Sequence, residues 1–196
     1  MIASGCPAVS ALNCGGSGTI SGVIAGVDWV TANHVAGAAV ANMSLGGGAS
    51  TALDTAVKNS IADGVSYAVA AGNGNIVGIA QDACRYSPAR VAEAMTISAS
   101  DKTDTKASWA NYGGCVDWFA PGVSISSAWY TSDTATKTIS GTSMATPHTT
   151  GVAALYLQSN PGASPAAVRN ALYTLTTKGI VKSSRTATNH LLYTNL

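Results

Sequence analysis

Apolar and polar positions along the chain alternate between two rhythms. Over residues 17–32, small polar residues lead into Ile20, Val23, Ile24, Val27 and Val30, the spacing of one helix face. Residues 38–45 form a short apolar run ending in Gly46-Gly47-Gly48, which predicts a buried strand and then a tight loop. Residues 51–63 return to helical spacing at Leu53, Val57 and Ile61 and stop at Gly64, a residue suited to the position just past a helix end. Residues 65–71 read as a second buried strand, closed by the polar glycine loop Gly72-Asn73-Gly74-Asn75. Residues 94–98 and 115–120 predict further strands. Ser164-Pro165 pairs a capping residue with proline at the first helical position and opens a helix to about Thr176. Helices interleaved with strands predict an α/β layer architecture. The loops at 46–48 and 72–75 follow strands, and so lie on the edge where open α/β sheets build sites. Glycines there also serve simply as turns. No repeat, charge block or linker divides the chain.

Composition narrows the setting. The chain has 196 residues, 46% of them hydrophobic, enough for a sizeable core and too many for a disordered chain. Only 10% are charged, against a typical figure of about 25%. The net charge of +1 argues against nucleic acid or anionic membranes as partners. No apolar run reaches the roughly 18 residues that span a bilayer. Four cysteines (Cys6, Cys14, Cys84 and Cys115) without a CxxC pair favour disulfides over a zinc site, and allow three pairings. Met1-Ile-Ala-Ser-Gly has no basic flank, and the first Lys or Arg is Lys58, so no ordinary signal peptide is present. A secreted-type composition without an export signal suggests an N-terminus that is not the native one.

The most specific stretch is Ser140-Gly-Thr-Ser-Met-Ala-Thr-Pro-His148, entered by the strand-like Lys137-Thr-Ile139 and followed by an apolar helix. Ser143 is thereby expected near a helix N-terminus, where the dipole favours developing negative charge; an N-capping role is the plainer alternative for a serine there. Pro147 is expected about one turn into the helix, where a missing N–H is tolerated. Gly141-Thr-Ser143-Met-Ala145 is one residue away from the nucleophile elbow of α/β-hydrolases, whose acid and histidine follow the serine. Beyond Asp133 the chain contains no Asp or Glu, so that reading fails.

Gly141-Thr-Ser-Met-Ala-Thr-Pro-His148 resembles the catalytic-serine signature of the subtilisin-like serine proteases. Segments including Ala41-Asn-Met-Ser-Leu-Gly-Gly47, Ala70-Ala-Gly-Asn73, Tyr86-Ser-Pro-Ala89, Asn111-Tyr-Gly113 and Phe119-Ala-Pro-Gly122 extend the resemblance from about Leu12 to the C-terminus. They are most similar to the proteinase K and aqualysin-like branch. The resemblance implies a three-layer αβα fold with a mostly parallel central sheet, here incomplete: residues 1–11 match poorly and residues 12–196 match the C-terminal part of a catalytic domain. It implies a serine endopeptidase acting through an acyl-enzyme at Ser143, with Asn73 donating to the oxyanion. The family carries its Asp and His in Asp-Ser/Thr-Gly and His-Gly-Thr-His motifs upstream of the serine, and neither occurs in this chain. His148 follows Ser143 by five residues, about 500° round a helix, and so faces away from it. His34 and His190 read as surface or packing residues. The chain alone is therefore expected to be nearly inactive unless another segment or a second chain supplies the missing pair. A non-catalytic peptide-binding module is the alternative.

By the same resemblance, Gly15, Gly16 and Ser17 match one edge of the substrate cleft, and Ser44, Leu45 and Gly46 the other; an extended polypeptide lies between them. Ala70, Ala71 and Gly72 match the wall of a primary pocket with room for a bulky apolar side chain. Asp117 matches a structural calcium ligand, completed by carbonyls of residues 88–94; an ordinary exposed carboxylate is the alternative. The loop around residues 76–82 carries extra residues relative to the family. Cys84 and Cys115 resemble a family disulfide pair. Cys14 matches a cysteine whose usual partner lies upstream, leaving it to pair with Cys6 or stay free. The family implies secretion of the parent protein and no catalytic cofactor.

Overall fold

The computed structural model describes residues 11–13, 15–34 and 37–195. Cys6 and Cys14, and all of the segment 1–11 except its last residue, lie outside them. The first helix, α1 (Ile20–Asn33), starts where Thr19 caps it by accepting the Gly22 N–H. Strand β1 (Ala39–Met43) runs into a two-residue strand β2 (Gly47–Gly48), and α2 (Thr51–Ala62) follows, capped by Ser50. Gly64 leaves that helix at φ +117°, a conformation that favours glycine, and leads into β3 (Val65–Ala70). Then come β4 (Tyr86–Ser87), β5 (Met95–Ser100), β6 (Trp118–Pro121), β7 (Ile125–Ala128) and β8 (Thr136–Ile139). Two helices close the chain, α3 (Thr142–Ser159) and α4 (Pro165–Leu175).

The four longer core strands form a parallel sheet in the order β1-β3-β5-β6. Side chains of a strand alternate between faces, and β3 sorts itself accordingly. Val65, Tyr67 and Val69 pack with Val57 and Ile61 of α2 and Val23 and Val27 of α1. Ala68, with Met95, Ile97 and Trp118, packs on the other face with Val152, Ala153 and Leu157 of α3 and Val168 and Leu172 of α4. The sheet is thus covered on both faces, which is why its strands read as continuous apolar runs. Every residue of β3 and β5 is buried. The hydroxyls of β5 find partners: Thr96 donates to the Ala89 carbonyl and Ser98 to that of Asn111. A disulfide joins Cys84 to Cys115, the pairing the family resemblance implies.

Two departures from the sequence reading have local causes. Of the glycines expected to form only a loop at 46–48, Gly47 and Gly48 instead pair as β2 with β4, antiparallel. Ile125–Ala128, not anticipated as a strand, forms a hairpin with β8; its burial is slight, so no hydrophobic pattern announced it.

Candidate active site

Ser143 is the second residue of α3. Its N–H lies in the first turn, where no preceding helical carbonyl is available to it. The Ser143 hydroxyl donates to the Ser44 carbonyl at 3.0 Å. In return, the Ser44 hydroxyl donates to the Ser143 carbonyl at 2.8 Å. The second bond follows from Pro147, and corrects the expectation that this proline sits where it costs no helical bond. Pro147 stands four residues after Ser143 and has no N–H, so the Ser143 carbonyl has no helical donor. Ser44, just beyond the end of β1, fills that vacancy. Behind it, Asn42 Nδ2 donates to Ser44 Oγ at 2.9 Å, and Thr150 of α3 donates to Asn42 Oδ1 at 3.0 Å. The nucleophile candidate is therefore tied to the carboxyl end of β1 by a chain of oriented bonds.

Asn73 is held from α3 as well. Its Oδ1 accepts the Thr142 N–H and the Thr142 hydroxyl, both at 2.8 Å. A backbone N–H can only donate, so this oxygen assignment is fixed and Nδ2 remains for another acceptor. Nδ2 lies beside Gly141, 3.4 Å from where a Cβ on that glycine would stand. Thr142 is fully buried, and its Oγ1 also accepts the Gly72 N–H at 3.1 Å. Gly72 has φ +101°, and a Cβ there would come within 2.5 Å of Asn111 Nδ2, so only glycine fits.

Two adjoining cavities bracket these groups. One, of about 250 Å³, is lined by Leu45, Gly46, Ala70, Ala71, Gly72, Asn73, Thr142 and Ser143 among others. The other, of about 330 Å³, shares Leu45 and Gly46 and continues to Ser44, Gly16 and Ser17. Of the expected cleft residues, Gly15 alone lines neither. Asn13 N–H donates to the Ser17 carbonyl, and Asn13 Oδ1 accepts from the Gly15 and Ser17 N–H groups. Past Asn73, Asn75 Oδ1 accepts the N–H groups of Val77 and Ile79, so the longer loop is self-closed while Ile76, Val77 and Ile79 stand exposed.

The three histidines are engaged elsewhere. His148 Nδ1 meets the Met144 carbonyl one turn back in α3, His34 Nε2 meets Asp63 at 2.8 Å, and His190 Nε2 meets the Tyr173 hydroxyl at 3.2 Å. Burial lowers the His190 pKa, with the nearby Lys178 charge acting the same way.

Asp117 lies apart from the cleft. Its Oδ2 accepts the Thr96 N–H at 2.7 Å and its Oδ1 is paired with Arg169 of α4. Burial pushes its carboxyl above the ordinary range, against the pull of Arg169 and of the Thr96 bond. The side chain is only 11% exposed, which removes the alternative of an ordinary surface carboxylate. Among the described residues no group of three or more His, Cys, Asp or Glu gathers as a metal site. A cation at Asp117 would have to displace Arg169, which holds the carboxylate while its own buried Nε has no hydrogen-bond partner.

A family model of the subtilases matches residues 7–191. The chain belongs to the subtilase family. This subtilase chain is 62% identical over 187 residues to an extracellular serine proteinase of Thermus sp. (strain Rt41A), covering 95% of the chain and 44% of that relative. It is 55% identical over 185 residues to alkaline serine exoprotease A of Vibrio alginolyticus, covering 94% of the chain and 33% of that relative. Among solved structures it resembles a cold-adapted subtilisin-like serine proteinase, with TM-score 0.87 and 54% identity over 93% of this chain and 64% of that one. The chain thus spans less than half the length of either relative. No helix among its described residues is long and apolar enough to cross a membrane.

Sequence reading reached Ser143 and Asn73 through the family motifs but passed over Thr142 and Asn111. Thr142 had a usable signal, since it adjoins the serine inside the motif. Asn111 had none in spacing, because its side-chain partners lie 30 to 40 residues earlier.

Proposed function

We propose that this subtilase chain is the part of a serine endopeptidase that carries the nucleophile, the oxyanion hole and the substrate cleft. Residues 12–196 are then the C-terminal part of the catalytic domain. The observation that carries the reading is the Asn73 amide, fixed through Oδ1 by Thr142 and leaving Nδ2 to donate next to Ser143 at the start of α3. In the reaction, Ser143 Oγ attacks the scissile carbonyl carbon and loses its proton to a general base. The carbonyl oxygen takes up the negative charge and accepts from Asn73 Nδ2 and the Ser143 N–H. Collapse expels the amine, which takes the proton, and water then hydrolyses the acyl-enzyme. The base and its aspartate come from polypeptide outside these 196 residues, either a longer form of the same chain or a second chain.

The substrate is an extended polypeptide running past Gly15, Gly16 and Ser17 on one side and Ser44, Leu45 and Gly46 on the other. An apolar side chain enters against Ala70, Ala71 and Gly72. Nucleic acid and membrane play no part, and the parent protein is secreted, as the name of the Thermus relative says of that protein. No cofactor is needed for the chemistry. Calcium enters only as a structural ligand of Asp117, in exchange for Arg169. By itself the chain fits peptide binding without turnover, because its Ser143 hydroxyl donates to a carbonyl and not to a base.

The test is peptide hydrolysis by the full-length polypeptide and by its Ser143→Ala and Asn73→Ala variants. Ser143→Ala should abolish turnover. Asn73→Ala should lower kcat by about 10²–10³ with little change in KM, the loss a subtilisin suffers when that donor is removed. Full turnover in Ser143→Ala would end the proposal.

A further inference from the structure

Asn73 is exposed and is flanked by Gly72 at φ +101° and Gly74 at φ +81°, the two most permissive links a backbone can have. Thr142 fixes the end of its side chain, but something else must fix the backbone on which it stands. Asn111 sits against both flanks. It is 1% exposed, and all four of its polar groups are used. Its N–H donates to the Gly72 carbonyl at 2.9 Å, and Nδ2 donates to the Ala71 carbonyl at 2.8 Å. Its Oδ1 accepts from Gly74 at 3.0 Å and Gln81 at 2.8 Å. Its own carbonyl accepts from Ser98 of β5 at 2.7 Å. Behind it, Lys106 Nζ donates to the Ala107 and Ala110 carbonyls, both at 2.8 Å, and burial lowers the pKa of that lysine. The clamp is therefore seated on the sheet and grips residues before and after Asn73.

We propose that Asn111 is the positioning residue of the oxyanion hole, holding the backbone on both sides of Asn73 so that Asn73 Nδ2 is aimed before substrate arrives. The assignment rests on the serine-endopeptidase reading above. One amide is suited to the task because the groups it meets are of opposite kinds, a carbonyl at Ala71 and N–H groups at Gly74 and Gln81. No apolar residue of that size satisfies them, and a carboxylate would face the Ala71 carbonyl with a second acceptor. Preorganisation of this sort needs placement within about 0.5 Å, so a loosened loop loses transition-state contact before it loses substrate.

The test is a double-mutant cycle in the full-length polypeptide, read with a chromogenic peptide substrate and thermal melting. Asn111→Ala should lower kcat about ten- to a hundredfold and change KM less than threefold. Made together with Asn73→Ala, it should cost less than a further threefold, because the group it positions is already gone. Asn111→Asp keeps the acceptor for Gly74 and Gln81 and the size of the side chain, and carries the same test if Asn111→Ala does not melt cooperatively. Equal kcat losses with and without Asn73 would overturn the positioning role and leave a merely structural one. A kcat unchanged by either Asn111 substitution would also overturn it. If Asn73→Ala alone leaves kcat intact, the oxyanion reading itself fails, and that outcome is distinct from either of the others.

Discussion

Replacing Arg169 with methionine isolates the buried Asp117 carboxylate, which the cleft does not use. The apolar stem of Arg169 is kept and its charge removed, so Asp117 retains the Thr96 N–H on Oδ2 and loses its counter-charge on Oδ1. Breaking a fully buried pair costs about 3–5 kcal/mol. Asp117 is buried, but the Arg169 side chain is 36% exposed, so water already screens part of the attraction. A cost of about 1.5–3 kcal/mol is expected at neutral pH. For a chain of this size that is a fall of roughly 4–10 °C in melting temperature.

The pH dependence has a definite sign. Burial already holds the Asp117 carboxyl above its unfolded value, so the folded chain binds that proton more tightly than the unfolded one. Ionising it costs stability as pH rises through the window between those values. Without Arg169 the folded value rises further and the window widens. The deficit of Arg169→Met against wild type should therefore be largest on the alkaline side of that window and shrink as pH falls through it, measured by melting both proteins from neutral to acid pH. In an Asp117→Asn background the same substitution should cost little. Millimolar calcium should stabilise Arg169→Met more than wild type, since the cation no longer competes with a guanidinium. A deficit that is constant with pH, or that persists in Asp117→Asn, would refute the reasoning.

Three other outcomes follow from contacts described above. Ser44→Ala strips the Ser143 carbonyl of its donor and should cost about 1–2 kcal/mol in thermal melting. Pro147→Ala restores a helical N–H to that carbonyl, so it should be more favourable in the Ser44→Ala background than in wild type. Reduction of the Cys84–Cys115 disulfide, which closes a sequence separation of 31, should lower stability by about 3–4 kcal/mol on chain-entropy grounds, read by melting with and without reductant.

The elements that sequence made legible are those whose cause is local. Ser164-Pro165 announces α4 because capping and a fixed proline φ act within one turn. The strands β3 and β5 are announced by continuous apolar or small residues, since helices cover both faces of the sheet. The first strand of the β7–β8 hairpin was not legible, because Ile125-Ser-Ser-Ala128 buries almost nothing. At the site, the serine motif located Ser143, while the bonds that orient it span far more chain than any motif. Thr142 reaches Asn73 across 69 positions, and Ser44 reaches Ser143 across 99. The effect of Pro147 shows the same limit: a missing N–H is visible in sequence, but the hydroxyl that replaces it comes from another strand end.

The most direct measurement is labelling of Ser143 by a fluorophosphonate, followed by peptide mapping, in the 196-residue chain and in the full-length polypeptide side by side. The full-length polypeptide should label rapidly at Ser143. The shorter chain, whose serine hydroxyl donates to the Ser44 carbonyl, should label slower by orders of magnitude while still binding an extended peptide. Comparable labelling of both, or none in the full-length polypeptide, would contradict a nucleophile held ready here for a base supplied from elsewhere.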